Sequence, residues 1–427
     1  MDKVRSKSFF SKSFLGLSSF QMLAMFRRGM FYTFLSIYFR SFLLLSVTET
    51  TLYATLPMIM SVIFQNFVWG PLSDKLQRRR TLIILGEVLA GIGTILVWLV
   101  HYGISNLFIA GYVIIIGLSI IEIFWSMSNI AWSALISDLY PSKDRSKIMG
   151  GLTSFGGIGR IFGISIGGIL YNYGFGFRDG PLFIVASLVM FISTFPMLLT
   201  PEGGIHHQVE INEKDNELNN SGNESYKYIF VVFIISLLLI NFGRNSISVP
   251  YSQFLTLETG FAVDSIMLSW IANTRSISVL LIGFSAGFLS KKLGHSRTLI
   301  LGSLIAISSL IFTAVANDLG FIFLGSFLMG TGEVIIYASS YAIASDLIPE
   351  KIRAKLFGVY NTTFFLSWGL ACTLISGPMI DILLKEGVLE TLAYQAAFFL
   401  GALITLFGLI IFILLEIMLH TRQKKAN

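Results

Sequence analysis

The stretch Asp138-Leu-Tyr-Pro-Ser-Lys-Asp-Arg-Ser-Lys-Ile-Met-Gly150 occurs a second time, 208 residues later, as Asp346-Leu-Ile-Pro-Glu-Lys-Ile-Arg-Ala-Lys-Leu-Phe-Gly358. Asp, Leu, Pro, Lys, Arg, Lys and Gly stand at the same seven positions in both copies. A second pair lies upstream, where Gly70-Pro-Leu-Ser-Asp-Lys-Leu-Gln-Arg-Arg-Arg80 is matched by Gly287-Phe-Leu-Ser-Lys-Lys-Leu-Gly-His-Ser-Arg297. The sequence therefore predicts two similar halves of about 200 residues each.

The composition places both halves in a membrane. Hydrophobic residues make up 54% of the chain and charged residues only 13%, whereas soluble domains average about 25% charged residues. The mean hydropathy is +0.76. Apolar runs of about 20 residues, enough for a helix to cross the ~30 Å hydrocarbon layer, recur along the chain. We predict an all-α membrane protein with twelve transmembrane helices near residues 14–40, 50–72, 81–101, 107–136, 148–173, 181–200, 227–254, 263–289, 298–316, 320–347, 356–384 and 391–419.

The distribution of lysine and arginine predicts the orientation. The two tails and the even-numbered loops carry 22 of the 30 basic residues, and the odd-numbered loops carry three. By the positive-inside rule both termini are expected in the cytoplasm of a cell-membrane protein. This topology accounts for the net charge of +6, so no nucleic-acid partner is inferred. No small-residue cleavage site follows the basic start, and no removable signal peptide is expected.

A polar segment separates the two halves. It carries six acidic residues and is typical of a flexible cytoplasmic linker. Its adjacent histidines, His206 and His207, lack further ligands at metal-binding spacing, and the single cysteine, Cys372, excludes an intramolecular disulfide. We expect neither a metal site nor a cofactor. The predicted domains are an N-terminal six-helix bundle at 1–200, a linker at 201–226 and a C-terminal six-helix bundle at 227–427.

Twelve spans in two repeated halves, a long middle loop and the run from Gly70 to Arg80 after the second span resemble the major facilitator superfamily of secondary transporters. The resemblance covers nearly the whole chain. It implies two six-helix bundles, related by a pseudo-twofold axis along the membrane normal, that rock around a central site. It also implies a small-molecule substrate, and we expect a monomer in the lipid bilayer.

The loop after the second span is a candidate gate. Gly70 allows a neighbouring helix to approach closely, and Asp74 with the basic residues that follow can bond helix ends across the bundles. A role in fixing the membrane topology would explain the basic residues of this loop but not Asp74. Lys291 replaces this acid in the second copy, so the first half is expected to dominate the gate. With the other repeated loop, the candidate gating residues are Gly70, Asp74, Lys75, Arg78, Arg79, Asp138, Arg145, Asp346 and Arg353.

Charged residues inside the spans are candidates for function, because each costs ~2.5–3.5 kcal/mol at the bilayer centre. The basic ones are Arg27, Arg28, Arg160, Arg244 and Arg275. The clear acidic ones are Glu122 and Glu333, whereas Glu87 lies only a turn or two from the cytoplasmic edge. At ~1.5 Å per residue, mid-membrane depth is predicted for Arg28, Glu122, Arg160, Arg244, Arg275 and Glu333.

Polar residues repeat at helical spacing on the first, fourth, seventh and tenth spans. On the seventh span the stripe runs from Asn241 through Arg244 to Ser252, and on the fourth it contains Glu122. The resemblance implies that these four spans line the cavity. The predicted substrate-binding residues are Arg28, Tyr32, Arg160, Asn241, Arg244, Arg275 and Tyr337.

Arg28 and Arg244 occupy nearly equivalent places, 42 and 43 residues before the glycines at 70 and 287. Two opposed guanidinium groups can grip a carboxylate or phosphate bidentately, and the arrangement is similar to that of organophosphate:phosphate antiporters. Alternatively, Arg28 pairs with Glu122 and Arg244 with Glu333 as buried ion pairs. The two glutamates are also candidates for proton coupling, since mid-membrane carboxyls can change protonation as solute moves.

Other functions stay open. Gly159-Arg-Ile-Phe-Gly163-Ile-Ser-Ile-Gly167-Gly168 is similar to a drug-antiporter motif, but Ile164 stands where that motif has proline. We interpret these glycines as sites of close helix packing. The spans lack a nucleophile–base pair, so an enzyme is not predicted. We predict a secondary active transporter for a small anionic organic solute, driven by protons or by exchange. The alternatives are a sugar or multidrug permease and a non-transporting receptor or assembly factor.

Overall fold

The computed structural model of the chain describes residues 12–140, 142–204, 223–348 and 353–426. Within these ranges the fold is built from helices, and strands are absent from them. The long helices are α1 Lys12–Ile37, α2 Val47–Leu76, α3 Arg79–Gly103, α4 Leu107–Leu139, α5 Ser142–Tyr171, α6 Pro181–Met197, α7 Asn223–Asn245, α8 Ser265–Leu293, α9 His295–Ala314, α10 Leu319–Leu347, α11 Leu356–Lys385 and α12 Glu390–Ala426.

The length and composition of these helices fit a membrane. Ten segments in the described part of the chain are long and apolar enough to cross a bilayer. The two remaining helices are α6, an apolar helix of 17 residues, and α1, which has 26 residues but contains Arg27 and Arg28. The predicted all-α membrane fold with twelve spans in two repeated bundles is confirmed.

Equivalent helices pack together in each half. In the first half α1 packs against α5 and α6, and α3 against α4 and α6. In the second half α7 packs against α11 and α12, and α9 against α10 and α12. Two separate hydrophobic cores result, one around Leu17, Ile83 and Leu135 and one around Phe233, Leu299 and Phe412. The sequence repeat is therefore also a repeat of helix packing.

The contacts divide the chain into two compact units, one formed by 1–45 with 56–211 and one by 46–55 with 212–427. The start of α2 belongs to the second unit because the Asp381 carboxylate accepts hydrogen bonds from the backbone N–H groups of Val47 and Thr48 at 2.9 and 2.8 Å. The domain boundaries given by the sequence, at 200 and 227, stay a prediction.

Both α2 and α11 contain one π-helical turn, and the reason is local. The turns cover Gln65–Trp69 and Cys372–Ser376, and each is followed by a Gly-Pro pair. Proline has no backbone N–H to continue the helical ladder. In both helices the glycine N–H bonds the carbonyl five residues earlier, Gln65 in α2 and Cys372 in α11.

The glycines of α5 permit its close approach to α1. A Cβ atom added at Gly159, Gly163 or Gly167 would strike the carbonyl oxygen of Met22, Phe26 or Met30 on α1, respectively. These contacts repeat at four-residue spacing, which is one turn of each helix. The predicted packing role of the three glycines is confirmed.

The seventh span is interrupted, although its polar stripe predicts one continuous helix. α7 ends at Asn245, and a short helix resumes at Pro250–Thr256. Pro250 cannot donate the hydrogen bond that the Ser246 carbonyl would otherwise receive within the helix. The Ser376 hydroxyl donates to that carbonyl instead. The Ser246 carbonyl therefore has a hydrogen-bond donor despite the break.

Candidate functional site

A buried ion pair lies in the first unit between α1 and α3. Arg27 Nη1 donates to Glu87 Oε2 at 2.9 Å, and the two side chains are 2% and 1% exposed. The other Glu87 oxygen accepts from the Trp125 indole N–H at 2.9 Å and from the Ser128 hydroxyl at 3.0 Å. Glu87 thus accepts three hydrogen bonds, and the charge of Arg27 is neutralised.

Arg28 has a different environment from Arg27. Its guanidinium lies over the Trp125 ring, 4.2 Å from the ring centroid, and the side chain is half-buried. Glu122 lies within electrostatic reach of Arg28, but among the described residues no carboxylate comes within 4.0 Å of it. The alternative that Arg28 and Glu122 form an ion pair is not realised. Tyr32, one turn along α1, lies within electrostatic reach of both residues.

In the second unit Glu333 pairs with Arg275. Arg275 Nε and Nη2 both donate to Glu333 Oε2, at 3.1 and 2.6 Å. Arg244 lies within electrostatic reach of Glu333, but among the described residues no carboxylate comes within 4.0 Å of Arg244, and α8 places Arg275 directly against α10. Of the predicted residues, Arg275 and Glu333 are brought together as one neutral pair.

Arg244 is held by neutral groups. Its Nε donates to Asn241 Oδ1 at 2.9 Å, and fully buried Asn241 donates in turn to the Thr363 hydroxyl at 3.4 Å. The guanidinium also lies 5.9 Å from the centroid of the Phe364 ring. Tyr337 packs edge-on against the same ring, with the centroids 5.3 Å apart. The structure thus gathers three predicted residues, Asn241, Arg244 and Tyr337, around Phe364.

Arg160 is the remaining predicted arginine. It lies on α5 beside α1, where a Cβ atom added at Gly29 would come within 2.6 Å of the Arg160 carbonyl oxygen. Its side chain is exposed. The backbone of Arg160 is therefore fixed next to the α1 turn that carries Arg28, while its side chain is accessible.

The loop between α2 and α3 converges on Arg79. This arginine is 6% exposed and donates to the Ser73 hydroxyl at 2.5 Å, to Asp74 Oδ1 at 2.9 Å and to Asp138 Oδ2 at 3.3 Å. Asp138 also accepts from the Gly204 N–H at 3.0 Å. Lys75 and Arg78 are exposed. These contacts tie the α2–α3 loop to the end of α4 within the first unit.

Gly70 starts the last helical segment of α2. A Cβ atom added there would lie 2.8 Å from the Gln65 carbonyl oxygen, the acceptor of the π-helical turn. A side chain at this position would therefore disturb the turn that leads into the loop.

The second copy of the loop uses a histidine. The Ser290 hydroxyl and His295 Nδ1 are 2.7 Å apart, and His295 Nε2 lies 4.0 Å from Asp346 Oδ2. Ser290 and Asp346 match Ser73 and Asp138 of the first copy, so His295 stands where Arg79 bonds in the first half. The side chains of the predicted gating residues Arg145 and Arg353 lie outside the described residues.

The sequence reasoning missed the cluster of Arg27, Glu87 and Trp125. The position of Glu87 close to the predicted start of α3 predicts a residue near the cytoplasmic edge. The count of residues from a helix start is a poor measure of depth when two helices begin at different levels, as α1 and α3 do. An available signal was that Arg27 needs an acidic partner, and Glu87 is the acid that α3 supplies.

Two repeated bundles of membrane-spanning helices, each carrying arginines within its spans, are typical of a multi-pass membrane protein of the transporter class. The family model of the Major Facilitator Superfamily matches residues 17–242 and, a second time, residues 233–427. The chain therefore belongs to the Major Facilitator Superfamily. Family and fold indicate a transporter rather than an enzyme.

Similar proteins include several kinds of transporter. The galactose-proton symporter of Escherichia coli (strain K12) is 24% identical over 132 residues, which cover 31% of this chain and 28% of the symporter. Multidrug resistance protein 2 of Bacillus subtilis (strain 168) is 24% identical over 233 residues, 53% of each chain. The matched segments thus span about a quarter and about half of these relatives.

Solved structures resemble nearly the whole chain. A bacterial homologue of the human lysosomal transporter Spinster superposes with a TM-score of 0.71 at 15% identity, covering 97% of this chain and 98% of that one. A variant of the nucleoside transporter NupG gives a TM-score of 0.74 at 15% identity, covering 94% and 99%. At this level of identity the likeness shows the fold alone.

Proposed function

We propose that this transporter moves a small organic anion across the cell membrane by alternating access. The observation behind this proposal is that only some of the arginines within the spans have a carboxylate partner. Arg27 and Arg275 are neutralised by Glu87 and Glu333, whereas in the described part of the chain Arg28 and Arg244 have no carboxylate within 4.0 Å. Among the described residues, the charges of Arg28 in the first bundle and Arg244 in the second are thus not neutralised by a carboxylate within 4.0 Å.

A guanidinium group without a carboxylate partner suits an anionic solute. Its N–H donors form a planar fork that matches the two oxygens of a carboxylate or phosphate. An arginine already paired with a glutamate would have to exchange one anion for another. Arg28 and Arg244 need no such exchange, and they occupy nearly equivalent positions in the sequence repeat. Tyr32, Asn241 and Tyr337 supply the neutral polar and aromatic surroundings.

Proton coupling forms part of the proposal. Glu122 lies within electrostatic reach of Arg28 and Tyr32 but is not in an ion pair among the described residues. Glu333 is paired with Arg275, and that pair is partly exposed. A solute anion that reaches Arg28 or Arg244 changes the electric field at Glu122 or Glu333, respectively, and a proton can then bind or leave. This linkage would couple solute movement to a proton gradient.

The proposal is tested with purified protein and a panel of solutes. The panel contains acetate, succinate, citrate and glycerol phosphate as anions, galactose as a neutral sugar and tetraphenylphosphonium as a lipophilic cation. An anion that binds the folded protein raises its unfolding temperature through mass action, and the same anion should support counterflow in proteoliposomes. The double variant Arg28→Gln/Arg244→Gln should lose both responses. Stabilisation and counterflow with galactose or the cation alone would contradict the proposal.

The sugar and multidrug alternatives have one observation each in their favour. The galactose-proton symporter and multidrug resistance protein 2 are among the similar proteins. Both matches cover only part of those relatives. The same panel separates these functions. A sugar or a lipophilic cation gains no affinity from two arginines without carboxylate partners, so the double variant Arg28→Gln/Arg244→Gln should leave its transport intact.

A further inference from the structure

Trp125 of α4 contacts both arginines of α1. The guanidinium carbons of Arg27 and Arg28 lie 4.1 and 4.2 Å from the centroid of its ring. The indole N–H donates to Glu87 Oε1 at 2.9 Å, and the side chain is 6% exposed. One buried aromatic residue is therefore in contact with the neutralised arginine, with its acidic partner and with the arginine that has no acidic partner.

The aromatic contact has a consequence that an ion pair would not have. A carboxylate beside Arg28 would occupy its N–H donors and cancel its charge, and so compete with an anionic solute. The face of an indole ring attracts a guanidinium through its quadrupole and leaves the N–H edge and the positive charge available. Trp125 itself is fixed by its hydrogen bond to Glu87, which Arg27 and Ser128 hold in turn.

We propose that Trp125 is the positioning residue of the anion site, resting on the anion transport proposed above. It holds the Arg28 guanidinium against its ring face, so that the N–H fork is pre-oriented for a carboxylate or phosphate without being neutralised. The second unit uses the same principle with other groups, because Arg244 lies over Phe364 and is oriented by Asn241. Each binding arginine is thus held by an aromatic ring rather than by an acid.

The test compares three variants in lipid nanodiscs. Trp125→Leu removes both the ring face and the N–H donor, and Trp125→Phe keeps a ring face but removes the donor. Trp132→Phe is the matched control, since Trp132 lies two turns farther along α4 and packs on the hydrophobic core. The probes are acetate, succinate, citrate and glycerol phosphate, measured by equilibrium binding and by the anion-induced change in tryptophan fluorescence.

We expect Trp125→Leu to weaken anion binding about threefold to thirtyfold, the range of a partly desolvated cation–π contact. Trp125→Phe should stay within about threefold of the wild type. The anion-induced fluorescence change should disappear in both Trp125 variants and persist in Trp132→Phe. A purely structural role would lower the unfolding temperature without anion and leave the dissociation constant of the folded protein unchanged.

The outcomes separate the two proposals. A wild-type protein that responds to none of the four anions overturns the proposed function and the role of Trp125 with it. A wild-type protein that binds an anion, together with a folded Trp125→Leu variant of equal affinity, overturns only the role of Trp125. The role of Trp125 is also overturned if the fluorescence change is lost in Trp132→Phe and retained in Trp125→Phe.

Discussion

The Glu333 carboxylate accepts two hydrogen bonds from Arg275 on one oxygen, from Nη2 at 2.6 Å and from Nε at 3.1 Å. The pair is partly exposed to solvent, because the Arg275 side chain is 22% and the Glu333 side chain 35% exposed. Separating a buried ion pair leaves a costly uncompensated charge, but water lowers that cost at a partly exposed pair. Separating this pair therefore costs less than separating a fully buried one.

The first prediction concerns energy coupling at this pair. We expect Glu333→Gln to abolish proton-driven accumulation of the transported anion but to spare its counterflow, because the amide cannot take up or release the proton. Uptake into proteoliposomes with and without a proton gradient measures the first activity, and exchange at equal pH measures the second. The double variant Arg275→Gln/Glu333→Gln controls for the unpaired arginine.

Glu122→Gln is the companion test in the first unit. Loss of accumulation in only one of the two glutamate variants would assign the proton to that residue. If accumulation survives in the double variant Glu122→Gln/Glu333→Gln, neither carboxyl carries the proton, and exchange of one anion for another remains as the mechanism.

The second prediction concerns Arg244. Arg244→Lys keeps the charge but loses both the planar fork and the hydrogen bond from Nε to Asn241. We expect anion affinity to fall by about tenfold or more. The control is Arg297→Lys, at an exposed position near the start of α9, which should bind as the wild type does. Equal affinity in Arg244→Lys would show that no bidentate contact forms at Arg244.

The third prediction concerns the α1–α5 contact. A Cβ atom at position 163 would strike the Phe26 carbonyl oxygen, whereas one at position 150 meets nothing within 4 Å. We expect Gly163→Ala to destabilise the protein by ~1–3 kcal/mol through overpacking. The same change at Gly150, on the same helix, should be neutral or slightly stabilising. Unfolding temperatures in detergent test the difference, and equal values would mean that α1 can shift away at little cost.

The fold could be predicted from the sequence because its main determinants are local. The length of each apolar run fixes a span, and the two repeated loops reveal the halves without any knowledge of packing. The four-residue spacing of Gly159, Gly163 and Gly167 also has a local cause, since small residues in one stripe permit a close helix contact. The break at Pro250 was missed because proline is often tolerated within a transmembrane helix.

The pairing of buried charges could not be predicted in the same way. It depends on the rotation and tilt of each helix, which the sequence pattern gives only coarsely. Glu333 was considered as a partner of Arg244 on α7, but α8 brings Arg275 to it. Glu87 was placed too near the surface to serve Arg27. The stripes correctly identified which helices carry polar residues, but not which residues on them meet.

The fourth prediction concerns topology. In a Cys372→Ser background, single cysteines replace Ser105 in the α3–α4 loop and Ser221 in the predicted linker. With cytoplasmic termini, an impermeant thiol reagent applied to intact cells should label position 105 and spare position 221. Permeabilised cells, in which both positions should react, provide the control. Labelling of 221 with protection of 105 would reverse the orientation.

The last prediction concerns the loop around Arg79. Asp74 is 76% and Asp138 is 21% exposed, and only Asp138 also accepts the Gly204 N–H. We expect Asp74→Asn to slow transport several-fold and Asp138→Asn to slow it more, because Asp138 bonds both Arg79 and the Gly204 N–H. Anion affinity should stay within a few-fold in both variants, since a residue that biases a conformational equilibrium need not touch the solute.

Initial transport rates and equilibrium binding distinguish these effects. Glu386→Gln, which changes an exposed acid in the α11–α12 loop, should alter neither rate nor affinity. The loop acts as a gate if the transport rate falls while the anion affinity is unchanged, and if Asp138→Asn lowers the rate more than Asp74→Asn does. A tenfold loss of affinity in Asp74→Asn at an unchanged maximal rate would instead place Asp74 in the path of the solute. If Asp74→Asn has no more effect than Glu386→Gln, the loop serves only to fix the membrane topology.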